Sequence, residues 1–223
     1  MEFLDRELEK YVETHSDSES PLLHKINRET NLQVNMPRMI SGHLQGRVLA
    51  MLSQMIRPKK ILEIGTYTGY SALCLAEGLQ KEGKLITIDV NKELEKRVRG
   101  YFEESDYASQ IEYIIADATE EIKKVDGPID LVFIDADKKN YKHYYEGVFD
   151  RVREGGFLII DNVLWSGKVL EEGKKDGSTK AIQEFNTLVH HDKRVENVLF
   201  PIRDGLMILR KLATKGTEGL NGQ

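Results

Sequence analysis

Two apolar runs in this chain each end abruptly in a carboxylate. Ile129-Asp130-Leu131-Val132-Phe133-Ile134 leads into Asp135-Ala136-Asp137-Lys138, and Phe157-Leu158-Ile159-Ile160 leads into Asp161-Asn162. Short runs of this kind read as strands buried on both faces, the pattern of a parallel sheet. Residues 61–64, 85–88 and 111–115 repeat it. Between the runs lie stretches with helical spacing, over residues 70–80, 92–102, 119–124, 141–152 and 179–189. Strand and helix in strict alternation predict an α/β fold built on a doubly wound, mostly parallel sheet. The last two strand-like runs, 195–202 and 206–211, flank Asp204-Gly205 and predict an antiparallel hairpin that closes the sheet.

The first 57 residues carry no such alternation and read as a helical extension packed on the core domain of residues 58–212. Pro21 and Pro37 each suit the first turn of a helix, and Pro58 stops the last one. In that last helix Ile40, Leu44, Val48, Leu49, Leu52, Met55 and Ile56 mark the expected buried face. The tail, 213–223, has little to bury and is expected to be disordered.

In open α/β sheets chemistry collects at the carboxyl ends of the strands. There the pattern delivers Asp135, Asp161 and Asn162 to one rim, with Lys138 close by. Three oxygen donors suit a hard divalent cation such as Mg²⁺. The first strand ends in Glu63-Ile64-Gly65-Thr66-Tyr67-Thr68-Gly69-Tyr70-Ser71, a glycine turn opening a helix. Tyr67 takes the place of the second glycine in a dinucleotide fingerprint and would crowd a pyrophosphate, and no G-K-[ST] follows. Asp89, at the end of the second strand, is placed to accept ribose hydroxyls, and Asp117-Ala118, after the third, to border a purine. Glu63 adds negative charge. An adenosine that carries a positive charge in place of phosphates is S-adenosylmethionine, which these residues favour over NAD.

The net charge of −5 argues against a large nucleic-acid footprint. An RNA-binding surface would need Lys92, Lys96, Arg97, Lys174, Lys175 and Arg203 in one patch. The single cysteine, Cys74, forbids an intramolecular disulfide and reads as core. No apolar stretch approaches a membrane span, and the acidic start Met1-Glu2-Phe3-Leu4-Asp5-Arg6 lacks the form of a signal peptide. A cytoplasmic location is expected.

With these residues in view, the chain resembles the cation-dependent O-methyltransferases, the catechol and caffeoyl-CoA group, from about Met36 to Arg210. The motifs that carry the likeness are Glu63 to Ser71, Ile88-Asp89-Val90-Asn91-Lys92-Glu93, Phe133 to Lys138, and Asp161-Asn162-Val163-Leu164-Trp165-Ser166-Gly167. The resemblance implies a seven-stranded, Rossmann-like class I methyltransferase sheet. It implies Asp135, Asp161 and Asn162 as metal ligands, and Ser41, Glu63, Gly65, Tyr67, Ser71, Asp89, Ala118 and Asp135 around the methyl donor. Met39 and Trp165 would wall the acceptor pocket, Lys138 stands where a general base is proposed, and the protein would be a homodimer. The plant CoA-ester enzymes carry aromatic residues after the Trp165 loop; here Glu171 to Ser178 has none. The acceptor implied is a small vicinal diphenol. Two alternatives stand beside it: a hydroxylated RNA base as acceptor, and an NAD(P)-dependent oxidoreductase on a similar sheet.

Overall fold

The computed structural model describes residues 5–173 and 176–213. Residues 214–223 of the tail expected to be disordered, and Lys174 and Lys175, lie outside the described residues. Helices α1 (Arg6–Thr14), α2 (Pro21–Gln33) and α3 (Gly42–Ile56) precede the alternation, which runs β1 (Lys60–Ile64), α4 (Tyr70–Ala76), β2 (Lys84–Asp89), α5 (Glu95–Glu103), β3 (Ile111–Ile115), α6 (Ala118–Glu121), β4 (Ile129–Ile134), α7 (Tyr141–Phe149), β5 (Val152–Ile160), α8 (Gly177–His191), β6 (Val195–Phe200) and β7 (Leu206–Lys211). The described strands form one seven-stranded sheet in the order β3-β2-β1-β4-β5-β7-β6. Neighbours pair in parallel from β3 to β5; β7 is antiparallel to both β5 and β6.

Period-2 alternation along the strands sorts the core into two layers. Ile61, Leu85, Leu131, Phe133 and Ile159 pack against α2, α3, α4 and α5. Leu62, Ile64, Ile86, Ile88, Val132, Ile134, Leu158 and Ile160 pack against α6, α7 and α8. Leu23 and Ile26 of α2 and Leu49 and Ala50 of α3 are buried in the first layer, so these helices share the core of the sheet.

Several elements depart from the sequence pattern, each for a local reason. The helix expected from Pro37 is broken: Pro37–Met39 is one short 3-10 turn, Ile40 is extended, and α3 starts afresh with Gly42 at φ +73°. The Arg203 guanidinium donates to the Ile40 carbonyl at 2.9 Å, taking an acceptor that a continuous helix would use internally. The buried face of α3 is broader than the one expected: Ile40 and Leu49 are buried and Val48, Leu52 and Ile56 pack partly buried against the core, but the most buried line lies to one side of them. Gln45, Gly46, Leu49, Ala50 and Ser53 face inward, while Met51 and Met55 are exposed. Small residues, Gly46 above all, let α3 approach α4 closely. Helix α4 ends at Ala76, short of Gln80, because Ser53 Oγ donates to the Leu75 carbonyl at 2.6 Å. A side chain at Gly78 would overlap Ser53 as well. Helix α7 stops at Phe149, and β5 begins at Val152, which pairs with Ile129 before the register shifts. Strand β6 ends at Phe200, because Pro201 has no N–H to offer the ladder.

Candidate active site

The carboxyl ends of β1, β2, β4 and β5 carry the candidate residues. Parallel pairing sets Ile64 beside Ile88 and Ile134, and Ile134 beside Ile160. The residues after these pairs, Gly65, Asp89, Asp135 and Asp161, therefore share one rim. Gly65 holds φ +102°, and a Cβ there would overlap the carbonyl oxygen of Asp135. Only glycine lets the turn lie against that strand end.

The glycine turn is organised by Asp89. Its Oδ2 accepts from the backbone N–H of Thr66 at 3.0 Å and of Tyr67 at 2.7 Å, and its Oδ1 accepts from Asn91 N–H at 2.8 Å. Gly65 N–H is spent on Ile88 O and Gly69 N–H on Thr66 O. Those four amides of the turn thus point inward, leaving none of them to cradle a phosphate. A carboxylate has about four acceptor sites, so after three backbone donors Asp89 retains about one, on Oδ1. Tyr67 sits at φ +48°, and its hydroxyl donates to the carbonyls of Asn35 and Met36 at 3.1 and 3.3 Å. This ties the turn to the segment that leads into α3.

Glu63 lies fully buried beneath the turn. It accepts from Ser71 Oγ at 2.6 Å and Thr87 Oγ1 at 2.5 Å, and Thr87 in turn bonds Thr66. Burial pushes its carboxyl up from 4.5 to about 8, against the pull of the two hydroxyls, with Asp135 and Asp89 adding repulsion. Its side chain meets the hydroxyls of β2 and α4 and reaches the cleft only through Ser71.

Asp135 and Asp161 face one another electrostatically. Asp161 is 3% exposed, and burial, then the charge of Asp135, pushes its carboxyl up from 3.8 to about 7. Its Oδ1 accepts from Asn162 N–H at 2.6 Å and its Oδ2 from the amide of Gln45 at 2.5 Å. The Tyr141 hydroxyl donates to its backbone carbonyl at 2.8 Å. Asn162 follows at φ +58°. Lys138 Nζ lies 2.7 Å from Asp135 Oδ1 and 5.1 Å from the centre of the Tyr141 ring, with its side chain only 12% exposed. Among the described residues no three histidine, cysteine or carboxylate side chains gather into a cation site. The set present is two carboxylates and the amide of Asn162. The two carboxylates disfavour each other's charge, and their hard oxygen chemistry fits a divalent cation.

A narrow cleft is lined by Met39, Ile40, Ser41, Gly65, Thr66, Tyr67, Thr68, Tyr70, Ser71 and Asp135. The structure thus brings Met39, Ser41, Gly65, Tyr67, Ser71 and Asp135 together. Ala118 opens α6, buried in the other core layer. Trp165 is on the loop after Asn162, outside the cleft lining. That loop runs left-handed through Trp165, Ser166 and Gly167. It is tied to the tip of the β6–β7 hairpin by Leu164 N–H on Asp204 O at 2.8 Å and by Ser166 N–H on the Asp204 carboxylate.

Sequence reasoning missed Gln45, Thr66, Thr87 and Tyr141. Gln45 was detectable as a polar residue one position from the apolar ridge of α3, although the expected face passed it by. Other candidates are accounted for. Cys74 is fully buried and its thiol is pushed up to about 12 by burial, which makes it inert. Tyr144 and Tyr145 are core. Of the proposed basic patch, Arg97 is bonded to Gln33 and Glu29 on α2, and Arg203 to Ile40.

A doubly wound sheet with a reversed last strand, and a glycine turn whose amides are folded inward among carboxylates, define the class of S-adenosylmethionine-dependent methyltransferases. The chain belongs to the O-methyltransferase family, whose model matches residues 13–212. It is 32% identical over 213 residues to the catechol O-methyltransferase domain-containing protein 1 of Mus musculus, covering 93% of this chain and 81% of that one. It is 31% identical to caffeoyl-CoA O-methyltransferase 5 of Nicotiana tabacum, covering 90% and 89%. In structure it is similar to an O-methyltransferase from Bacillus cereus in complex with SAH, with a TM-score of 0.84, 26% identity, and 92% and 97% of the chains covered. The fold also matches the O-methyltransferase TomG from Streptomyces achromogenes in complex with SAM, with a TM-score of 0.86, 23% identity, and 93% and 96% covered. The enzyme is an S-adenosylmethionine-dependent O-methyltransferase, and the oxidoreductase reading is set aside. Among the described residues no helix is long and apolar enough to cross a membrane.

Proposed function

We propose that this enzyme methylates one hydroxyl of a small vicinal diphenol and requires a divalent cation, Mg²⁺ being the natural choice for an all-oxygen site. The observation that carries the reading is the convergence of Asp135, Asp161 and Asn162 on adjacent strand ends, with Lys138 held 2.7 Å from Asp135. Those three residues would hold the cation. When bound, it supplies positive charge that favours a phenolate over a phenol, whose ordinary pKa is about 10.

The chain's own groups do the rest. Ser41, Gly65, Tyr67, Ser71 and Asp135 line the donor's cleft, Asp89 takes a ribose hydroxyl from below the turn, and Ala118 borders the purine. Glu63 acts through Ser71. Met39 and Trp165 present apolar surface to the aromatic ring. Lys138 stands 2.7 Å from Asp135 Oδ1, and as the free amine, its own proton given up to solvent beforehand, it accepts the proton of the acceptor hydroxyl while that oxygen takes the methyl group from the donor's sulfur. The transfer quenches opposite charges, so orientation of the two reactants dominates the barrier. The homodimer implied by the family belongs to the same reading and is tested by sedimentation.

The test is a kinetic panel of catechol, caffeate, caffeoyl-CoA and bulk RNA, with S-adenosylmethionine, in Mg²⁺ and in excess chelator. We expect turnover of the diphenols that chelation abolishes and Mg²⁺ restores. Full activity in chelator would overturn the cation. A specificity constant for caffeoyl-CoA far above that for caffeate would overturn the small acceptor.

A further inference from the structure

Gln45 belongs to the helices before the sheet, yet its side chain ends on the most buried carboxylate of the rim. It is 1% exposed, and its Nε2 donates to Asp161 Oδ2 at 2.5 Å. The helix that carries it is locked about its own axis by the residues around it. A Cβ at Gly46 would come within 2.7 Å of the Tyr70 ring and 2.9 Å of Cys74 Sγ, so glycine permits the close contact of α3 with α4. Arg47 is ion-paired with Glu77 on the residue capping α4. Two turns on, Ser53 is buried with its hydroxyl on the Leu75 carbonyl. With Gly46, Arg47 and Ser53 each committed to α4, Gln45 has one direction left, across the strand end to Asp161.

The chemistry of the contact is selective. Only a hydrogen-bond donor suits a carboxylate there; a leucine would leave a buried charge short of a donor, and a glutamate would oppose it. Asn162 N–H holds Oδ1 and Gln45 holds Oδ2, so both oxygens of Asp161 are fixed, and each keeps a lone pair.

We propose that Gln45 is a positioning residue for the cation site, a helix-borne amide that sets the orientation of the Asp161 carboxylate for a divalent metal ion. The inference rests on the cation reading given under Proposed function. It also assigns α3 a part in the chemistry beyond covering the cleft. Groups that orient a metal ligand change affinity for the ion even when the ligand itself is intact.

The experiment compares the full-length wild-type protein with Gln45→Met, which keeps the volume, and Gln45→Asn, which keeps the amide but shortens its reach. Mn²⁺ binding is measured by calorimetry on protein free of methyl donor, beside S-adenosylhomocysteine affinity, thermal unfolding in chelator, and kcat as a function of Mn²⁺. We expect both variants to bind Mn²⁺ on the order of 10–100-fold more weakly, to keep wild-type affinity for S-adenosylhomocysteine, and to recover kcat at high Mn²⁺. Wild-type Mn²⁺ affinity in folded variants, with only the unfolding temperature lowered, would overturn the proposal and leave Gln45 as a packing residue. Should one variant fail to fold, the other decides by the same readings. A wild-type protein that binds no Mn²⁺ and ignores chelator would overturn the cation reading itself, a result distinct from an unaffected variant.

Discussion

Replacing Glu63 with Gln should make the protein more stable, and increasingly so as the pH rises. The Glu63 carboxyl is completely buried, and burial raises it from the ordinary 4.5 to about 8, although Ser71 and Thr87 both donate to it. In the unfolded chain the group loses its proton near pH 4.5; in the folded protein it keeps it until about pH 8. Between those values the native state holds a proton that the unfolded state has released. Stability from this group is therefore fully present at low pH and is lost as pH rises toward the folded value, at about 1.4 kcal/mol per pH unit. Over the interval from 4.5 to about 8 the ceiling is on the order of 5 kcal/mol. A Gln at this position carries no such loss, and its amide can meet both hydroxyls because each can donate or accept. The assay is urea unfolding of wild type and Glu63→Gln in chelator at several pH values. Chelator keeps the Asp135–Asp161 pair alike in both proteins, so its own titration cancels in the difference. We expect near equality at about pH 5 and an advantage of several kcal/mol for the variant at about pH 8. A difference that does not change with pH, or a variant that loses ground as pH rises, would refute the reasoning.

Three further outcomes follow from the same geometry. Gly65→Ala should cost on the order of 2–4 kcal/mol and abolish turnover, since a Cβ there overlaps the Asp135 carbonyl; an unfolding curve and activity like wild type would contradict the close approach. Asp89→Ala should free three backbone N–H groups, lowering stability by about 1–3 kcal/mol, and should also weaken S-adenosylhomocysteine in calorimetry; unchanged affinity would remove Asp89 from the ribose. Lys138→Met should lower kcat by about 10²–10⁴-fold while leaving S-adenosylhomocysteine affinity alone; a kcat within a few-fold of wild type would take the base role from Lys138.

Much of this site is legible in the order of the amino acids. The apolar runs ending at Asp135 and at Asp161-Asn162 place those residues at strand ends, and parallel pairing then needs only adjacency of β4 and β5 to bring them together. The glycine turn is legible as well, because Gly65 and Gly69 are required by positive φ. The functions of Asp89 and Glu63 are only half visible. Asp89 is expected to face ribose hydroxyls, and it is equally the anchor of the turn's amides. Glu63 reads as charge at the rim, and it is buried under the turn. A sequence pattern tells that a carboxylate ends a strand; it does not tell which donors from other elements will reach it.

Local order was determined by the sequence itself, since strand, turn and helix follow from spacing and composition within about ten residues of one another. That is why the alternation, the reversed final hairpin and the row of strand-end acids can all be read along the chain. The tertiary structure alone decided the relations between distant residues. It placed β7 between β5 and β6, broke the helix at Ile40 with the guanidinium of Arg203, and set α3 so that Gly46, Ala50 and Ser53 pack inward while Met51 and Met55 face out. With that packing came Gln45 against Asp161, a contact across 116 residues of sequence. The contact was hidden because burial of apolar area has no direction, so an apolar ridge does not tell which polar neighbour on the same helix the close packing of small residues will carry inward.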